Sequence, residues 1–219
     1  MSDAVPRATE KEFTLACACR GASMVLFALV RVAHLEQAVV HVPLLWDERV
    51  VPLCKVNTPV ASFLWNGSLP TNIAPRLADV SELVHTIVDR LRLGTRDLVI
   101  AMVLLETLLV RQGPMLQVYT ARPLLVATCI LARKLTNDRE IATRVCVDAM
   151  NDYFTALEPL LGSRIELQLL EHLHWRIPNN PAVYERHALA LLQEGTPPNM
   201  LPPSVSDVRR VLRFNSFLK

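Results

Sequence analysis

A chain of 219 residues that is 51% hydrophobic and 20% charged holds enough apolar material to fill one large domain, which excludes global disorder. Its formal charge of +2 is too slight to argue for nucleic acid or an acidic membrane surface. Six glycines beside plentiful Leu, Ala, Val and Arg favour helices over a turn-rich sheet protein.

Residues 1–14 are polar and read as a frayed terminus. From Leu15 to about Gln37 the apolar residues recur at helical spacing, which predicts a helix. Its uncharged stretch, residues 21–30, is flanked by Arg20 and Arg31 and falls well short of the roughly 20 residues that span a bilayer. Asp3, Glu10 and Glu12 ahead of it make a poor signal-peptide start, so a soluble helix is expected. Up to residue 75 the text changes. Pro43, Pro52, Pro59, Pro70 and Pro75 interrupt it, predicting irregular chain or short strands, while Trp46, Phe63 and Trp65 argue that it packs on something. The sequon at Asn66 matters only in a secreted chain.

Beyond Pro75 the pattern is regular. A helix opens near Ala78, with Asp79 or Ser81 as its cap, carries Leu83, Val84, Ile87, Val88 and Leu91 on one face, and ends at Gly94. A second starts with Thr95 as N-cap and closes at Gly113-Pro114. Its apolar residues surround the whole circumference, as in a helix buried in a bundle. A third has Thr120 at the cap and Pro123 in the first turn, where proline is tolerated. A fourth covers about 140–156, and Pro159 and Gly162 separate it from a fifth over 163–175. Residues 178–181, "PNNP", stop the chain before one more amphipathic helix over 182–194. A Pro-rich linker and a short basic amphipathic tail follow. Short connections make sequential helices neighbours, and no repeat supports a solenoid.

Catalytic motifs are absent from the text: no Gly-rich phosphate loop, HExxH or GxSxG occurs. His172 and His174 are two apart on a helix, hence about 200° apart around it, and cannot share a metal. One satisfied and one exposed histidine are expected. Five cysteines without a CxxC pair form neither a zinc knuckle nor a disulfide framework, and Cys129 and Cys146 read as small hydrophobes of a reduced, intracellular protein, cytoplasmic or nuclear. Glu106, Asp148, Asp152 and Glu166 are carboxylates that nothing in the sequence pairs for acid/base work, so an enzyme is the weaker class. No cofactor or metal is implied.

Two charges stand out. On the third helix Lys134 lies one turn above Ile130 and Leu131, next to the apolar face rather than opposite it. On the fifth, Glu166 begins the stripe Leu169, Leu170, Leu173 and Ile177. Singly each reads as an edge residue whose head reaches water. Of opposite sign, on helices separated by one helix, they suggest a shared surface that presents charge to a partner.

Residues 124–138, "LLVATCILARKLTND", resemble the third helix of a cyclin box, and "ELQLLEHLHWRIPNNPAVYERH" resembles its fifth helix and exit. The spacing of Trp175, Arg176, Pro181 and Tyr184 is similar to that of the P/U-type, phosphate-regulatory cyclins, and "AMVLLETLLVRQG" resembles their second helix. The resemblance covers about residues 77–192. It implies an all-α fold: a single five-helix cyclin box over 76–178, an N-terminal extension over 1–75, and a C-terminal helix, linker and tail over 179–219. It also implies a non-catalytic subunit that binds and activates a cyclin-dependent protein kinase; from the slight charge and the short apolar run, no nucleic-acid or membrane partner is expected. By resemblance, Lys134 and Glu166 would hydrogen-bond the kinase main chain beside its C helix. Leu131, Leu135, Leu169 and Leu170 would line a groove for an apolar side chain of that helix, and Asp138 would pair with an activation-loop arginine. Three positions depart from the pattern: Glu106-Thr107 replaces Asp-Arg, Asn137 replaces the first acid after the lysine, and the stretch between the fourth and fifth helices is longer and lacks a Gly-Gly turn. Kinase choice does not carry over. The alternatives are a cyclin-box scaffold or transcription module acting without a kinase, and a membrane-attached helical protein.

Overall fold

The computed structural model describes residues 6–36, 42–54, 76–113, 115–137 and 141–199. Seven α-helices and one 3-10 turn, Leu44–Trp46, make up its regular structure, and no strand occurs among the described residues. The helices are α1 (Pro6–Glu36), α2 (Leu77–Leu91), α3 (Thr95–Gln112), α4 (Ala121–Thr136), α5 (Thr143–Met150), α6 (Pro159–His172) and α7 (Pro181–Gly195). The protein is all-α, and five helices, α2 to α6, lie within residues 76–178 as expected.

Several boundaries differ from expectation, each for a local reason. The first helix starts at Pro6 rather than near Leu15, because proline at the first helical position forfeits only an N–H that has no intrahelical partner. Neither Asp79 nor Ser81 caps α2. Arg76 is its N-cap, and Asp79 in the first turn takes the Arg76 guanidinium at 2.6 and 2.8 Å. Gly94 does not end that helix. Arg92 does, in the left-handed conformation at φ 50°, and Gly94 becomes the N-cap of α3, donating its N–H to the Asp97 carboxylate at 2.7 Å. Thr120 is the N-cap of α4 as expected, but its hydroxyl makes no cap hydrogen bond and instead braces the preceding turn by donating to the Met115 carbonyl at 2.6 Å. The fourth helix is shorter than 140–156, since the chain after Met150 turns Tyr153 and Phe154 into the core, where their rings meet edge to face at 4.8 Å.

Pro159 and Gly162, read from sequence as breakers, lie inside α6. Pro159 opens the helix, and Gly162 is a crossing point, because a Cβ there would sit 2.5 Å from Val147 Cγ2 of α5. Only glycine lets α5 come so close.

One continuous core unites α1, the 42–54 segment and α2 to α7. The central α3 touches α1, α4, α6 and α7, which accounts for its all-round apolar surface. Helix α1 packs on α7, α2 and α3. Its Thr14–Ala33 portion is long and apolar enough to cross a membrane by length and composition, more than the uncharged run suggested, because two flanking arginines do not disqualify it. In this fold Cys17, Ala18, Ala22, Leu26 and Val30 of that portion are buried, while Met24, Leu29 and Val32 are exposed. Trp46 is buried; Phe63 and Trp65 lie outside the described residues.

All five cysteines are free and buried. Burial raises every one of their thiols, that of Cys19 to about 12, so the reactive thiolate is suppressed. The native chain should therefore resist an aromatic disulfide reagent at pH 8, with all five thiols reacting only after unfolding in guanidinium. Rapid labelling of any of them in the native state would contradict this packing.

Candidate functional site

Helix α4 is buried without interruption from Ala121 to Ala132 and emerges only at its last turn, where Arg133, Lys134, Leu135 and Thr136 are partly exposed. A cation there complements the carbonyl end of the helix dipole. Helix α6 packs against both α4 and α5. Because Gly162 admits α5 at close range, Thr143, the first residue of α5, reaches Glu166 one turn further along α6.

Lys134, Thr143 and Glu166 form a triangle. The Lys134 Nζ lies 2.7 Å from both Oε1 and Oε2 of Glu166 and donates at 2.7 Å to the Thr143 hydroxyl, which in turn donates to Glu166 Oε2 at 2.7 Å. The lysine side chain is 26% exposed and the glutamate 9%, so the pair sits at the surface with its acid recessed. The two charges singled out by sequence are thus adjacent, across a helix–helix contact.

The apolar candidates divide. Leu135 and Leu170 are partly exposed beside the pair, whereas Leu131 is buried and Leu169 has no exposure at all. Leu169 is fully buried in the continuous core and cannot line a surface groove. On the outer side of α6, Leu160 and Leu167 are exposed two turns apart. Asp138 lies outside the described residues.

The segment 42–54 clamps both helices that carry the site, on α4 at the end opposite Lys134. Arg122, in the first turn of α4, donates through Nε to Glu48 Oε2 at 2.6 Å, and both residues are only 1% exposed. The Glu48 N–H donates to the Tyr119 carbonyl at 3.0 Å, and Leu53 donates its N–H to Glu48 Oε1 at 3.3 Å. Arg49 lies 3.6 Å over the Tyr119 ring and grips Asp47, whose carboxyl it holds low against the effect of burial. Trp46 packs against the His172 ring on α6 at 4.8 Å, and Ala156 ties the α5–α6 connection to the Leu53 carbonyl at 2.9 Å.

Neither this clamp nor Thr143 was found from sequence. Arg122 did carry a signal, being the lone charge in an apolar stretch that runs to Arg133, but its partner stands 74 residues away. Thr143 gave none.

The remaining carboxylates do not pair with each other. Glu106 meets His187 Nε2, Asp148 meets Arg144 at 3.6 Å, and Asp152 meets Arg90 at 3.0 Å. His172 is satisfied, its Nδ1 lying 2.8 Å from the Gln168 carbonyl, and His174 is exposed, which matches expectation. No group of three metal-ligating side chains occurs among the described residues. No protein-family model, curated protein or solved structure matches the chain.

Proposed function

We propose that this chain is a cyclin-like regulatory subunit that binds and activates a cyclin-dependent protein kinase. The observation that carries the reading is the Lys134–Glu166 pair, recessed at the surface where α4 meets α6. Residue type supports it. The chain has only four lysines among its 23 basic residues, and among the described residues the other carboxylate pairs, the His187–Glu106 contact apart, are made by arginine: Arg49, Arg76, Arg90, Arg122 and Arg144. Arginine is the better bidentate partner for a carboxylate, whereas the compact lysine head, with three rotatable donors, suits main-chain carbonyls of a second protein. Glu166 would accept main-chain N–H groups and restrain the lysine. Leu135 and Leu170 would flank the contact. Activation would then be a population shift: the subunit binds only the C-helix-in kinase, in which the lysine–glutamate pair that positions ATP is assembled.

Lys134→Ala and Glu166→Ala are expected to keep wild-type helicity yet lose at least about thirtyfold in affinity for the kinase, since truncating one partner of a desolvated charge pair costs roughly 2–5 kcal/mol. Circular dichroism and capture of cyclin-dependent kinases, quantified by mass spectrometry, check this. Full kinase capture by both variants would end the reading.

A further inference from the structure

The face of α6 turned away from the core carries Leu160, Arg164, Leu167 and Glu171, spaced by four, three and four residues along one stripe of the helix. All four are exposed, Leu160 at 63% and Leu167 at 47%. Neither Arg164 nor Glu171 takes part in an ion pair among the described residues. Just past the helix stands Trp175, 62% exposed. The helix stops there in a Schellman turn: the His174 N–H donates to the Glu171 carbonyl and the Trp175 N–H to the Leu170 carbonyl, both at 2.8 Å. An apolar residue in the place of Trp175 commonly folds back on the helix. Here His174 and Trp175 both take left-handed backbone, at φ 52° and 57°, and Trp175 stays in water. Such backbone is uncommon for any residue but glycine and an outlier for one as bulky as tryptophan.

We infer that this stripe is a contact between two copies of the chain, their α6 helices antiparallel about a two-fold axis that passes beside Leu167. A two-fold contact needs a surface complementary to itself. The stripe has that property. Arg164 and Glu171 lie equally far on either side of the midpoint between residues 167 and 168, and so do Leu160 and Trp175. Turning one copy over on the other sets each Arg164 against Glu171 of the second copy and each Leu160 against its Trp175. The two Leu167 side chains meet at the axis. A parallel pairing in register would instead set arginine against arginine and glutamate against glutamate, which repels. Tryptophan is among the residues that carry most of the binding energy at interfaces, and here it flanks the charges at both ends of the contact. The stripe covers about 16 Å of one helix, at the low end of specific interfaces, so the dimer forms and dissociates in the micromolar range. Glu166 lies at least about 100° around α6 from each of the four helical residues, so the contact does not depend on the kinase reading.

Sedimentation velocity on the full-length chain, from one to several hundred micromolar, reads the equilibrium. Wild type should be monomeric at the bottom of that range and dimeric at the top. Arg164→Glu puts acid at both positions and Glu171→Arg puts base at both. Each should weaken dimerisation at least about tenfold, because like charges then face each other across the axis. Mixed one to one, the two variants should form a heterodimer of wild-type affinity, since acid meets base at both pairs. The double variant Arg164→Glu/Glu171→Arg should dimerise like wild type. No folding defect produces that rescue. Trp175→Ala should also weaken the dimer at least about tenfold. A wild-type chain that stays monomeric at several hundred micromolar overturns the inference, whatever else covers the stripe. So does a dimer that the charge reversals or Trp175→Ala leave intact, and so does a mixture of the two reversals no tighter than either alone.

Discussion

Replacing Arg122 by alanine is expected to cost about 3–5 kcal/mol of folding stability, the largest loss expected from any single charge among the described residues. The guanidinium is 1% exposed, and its Nε lies 2.6 Å from the equally buried Glu48. Without it the carboxylate would keep the Leu53 N–H but no counter-charge in a site closed to water. Burial already raises the Glu48 carboxyl even though Arg122 pulls it down. Removing Arg122 raises it further, which fixes the sign of the pH dependence. A carboxyl whose folded value lies above its unfolded value contributes most to stability where it is protonated, and that contribution is lost as pH rises through the folded value. The deficit of Arg122→Ala should therefore be largest at neutral pH and should shrink as pH falls toward 4.5, the ordinary glutamate value. Urea denaturation at several pH values measures it. Replacing both partners by apolar residues of similar volume should restore most of the loss, because the desolvation cost disappears together with the attraction. A single variant within about 1 kcal/mol of wild type at pH 7 would show that water reaches this pair.

This ion pair also illustrates what the sequence could and could not carry. Helical periodicity located α2, α3, α4 and α7 well, because each has an apolar face whose spacing records which side is buried. The adjacency of Lys134 and Glu166 was legible for the same reason, as both interrupt such faces at a fixed helical phase. Pro159 and Gly162 were misread as breakers because their roles depend on what stands outside the helix: no N–H partner is needed at its first residue, and Val147 presses on its second turn. Thr143 and Glu48 were invisible. Each acts through a side chain 23 or 74 residues away, and no local pattern encodes such a pairing. Leu169 was assigned to a groove although it faces the core, since a stripe of leucines two residues wide has an inner and an outer edge that spacing alone does not tell apart.

Gly195→Ala should be nearly as damaging, for a reason that has nothing to do with charge. A Cβ at Gly195 would lie 1.7 Å from the Cys17 carbonyl oxygen, and one at Gly21 would lie 2.0 Å from the Leu191 carbonyl oxygen. Backbone stands against backbone at both positions, so no rotamer change relieves the overlap and α1 must separate from α7. Alanine in place of glycine in a helix ordinarily gains up to about 1 kcal/mol. Overpacking costs about 1–3 kcal/mol where side chains can adjust, and here they cannot, so a net loss of about 3 kcal/mol is expected. For a chain of this length that corresponds to a fall of about 6–12 °C in Tm. Gly113→Ala is the control: its φ of 83° also disfavours alanine, but nothing lies within 4 Å, so only about 1 kcal/mol of backbone strain should appear. A second readout separates local from global damage. Because Cys17 lies in the contact, thiol labelling in Gly195→Ala should reach Cys17 before Cys129. If Tm and Cys17 protection both match wild type, α1 does not dock on α7 through these glycines. Residues 6–36 would then be an appendage to the five-helix core, not part of it.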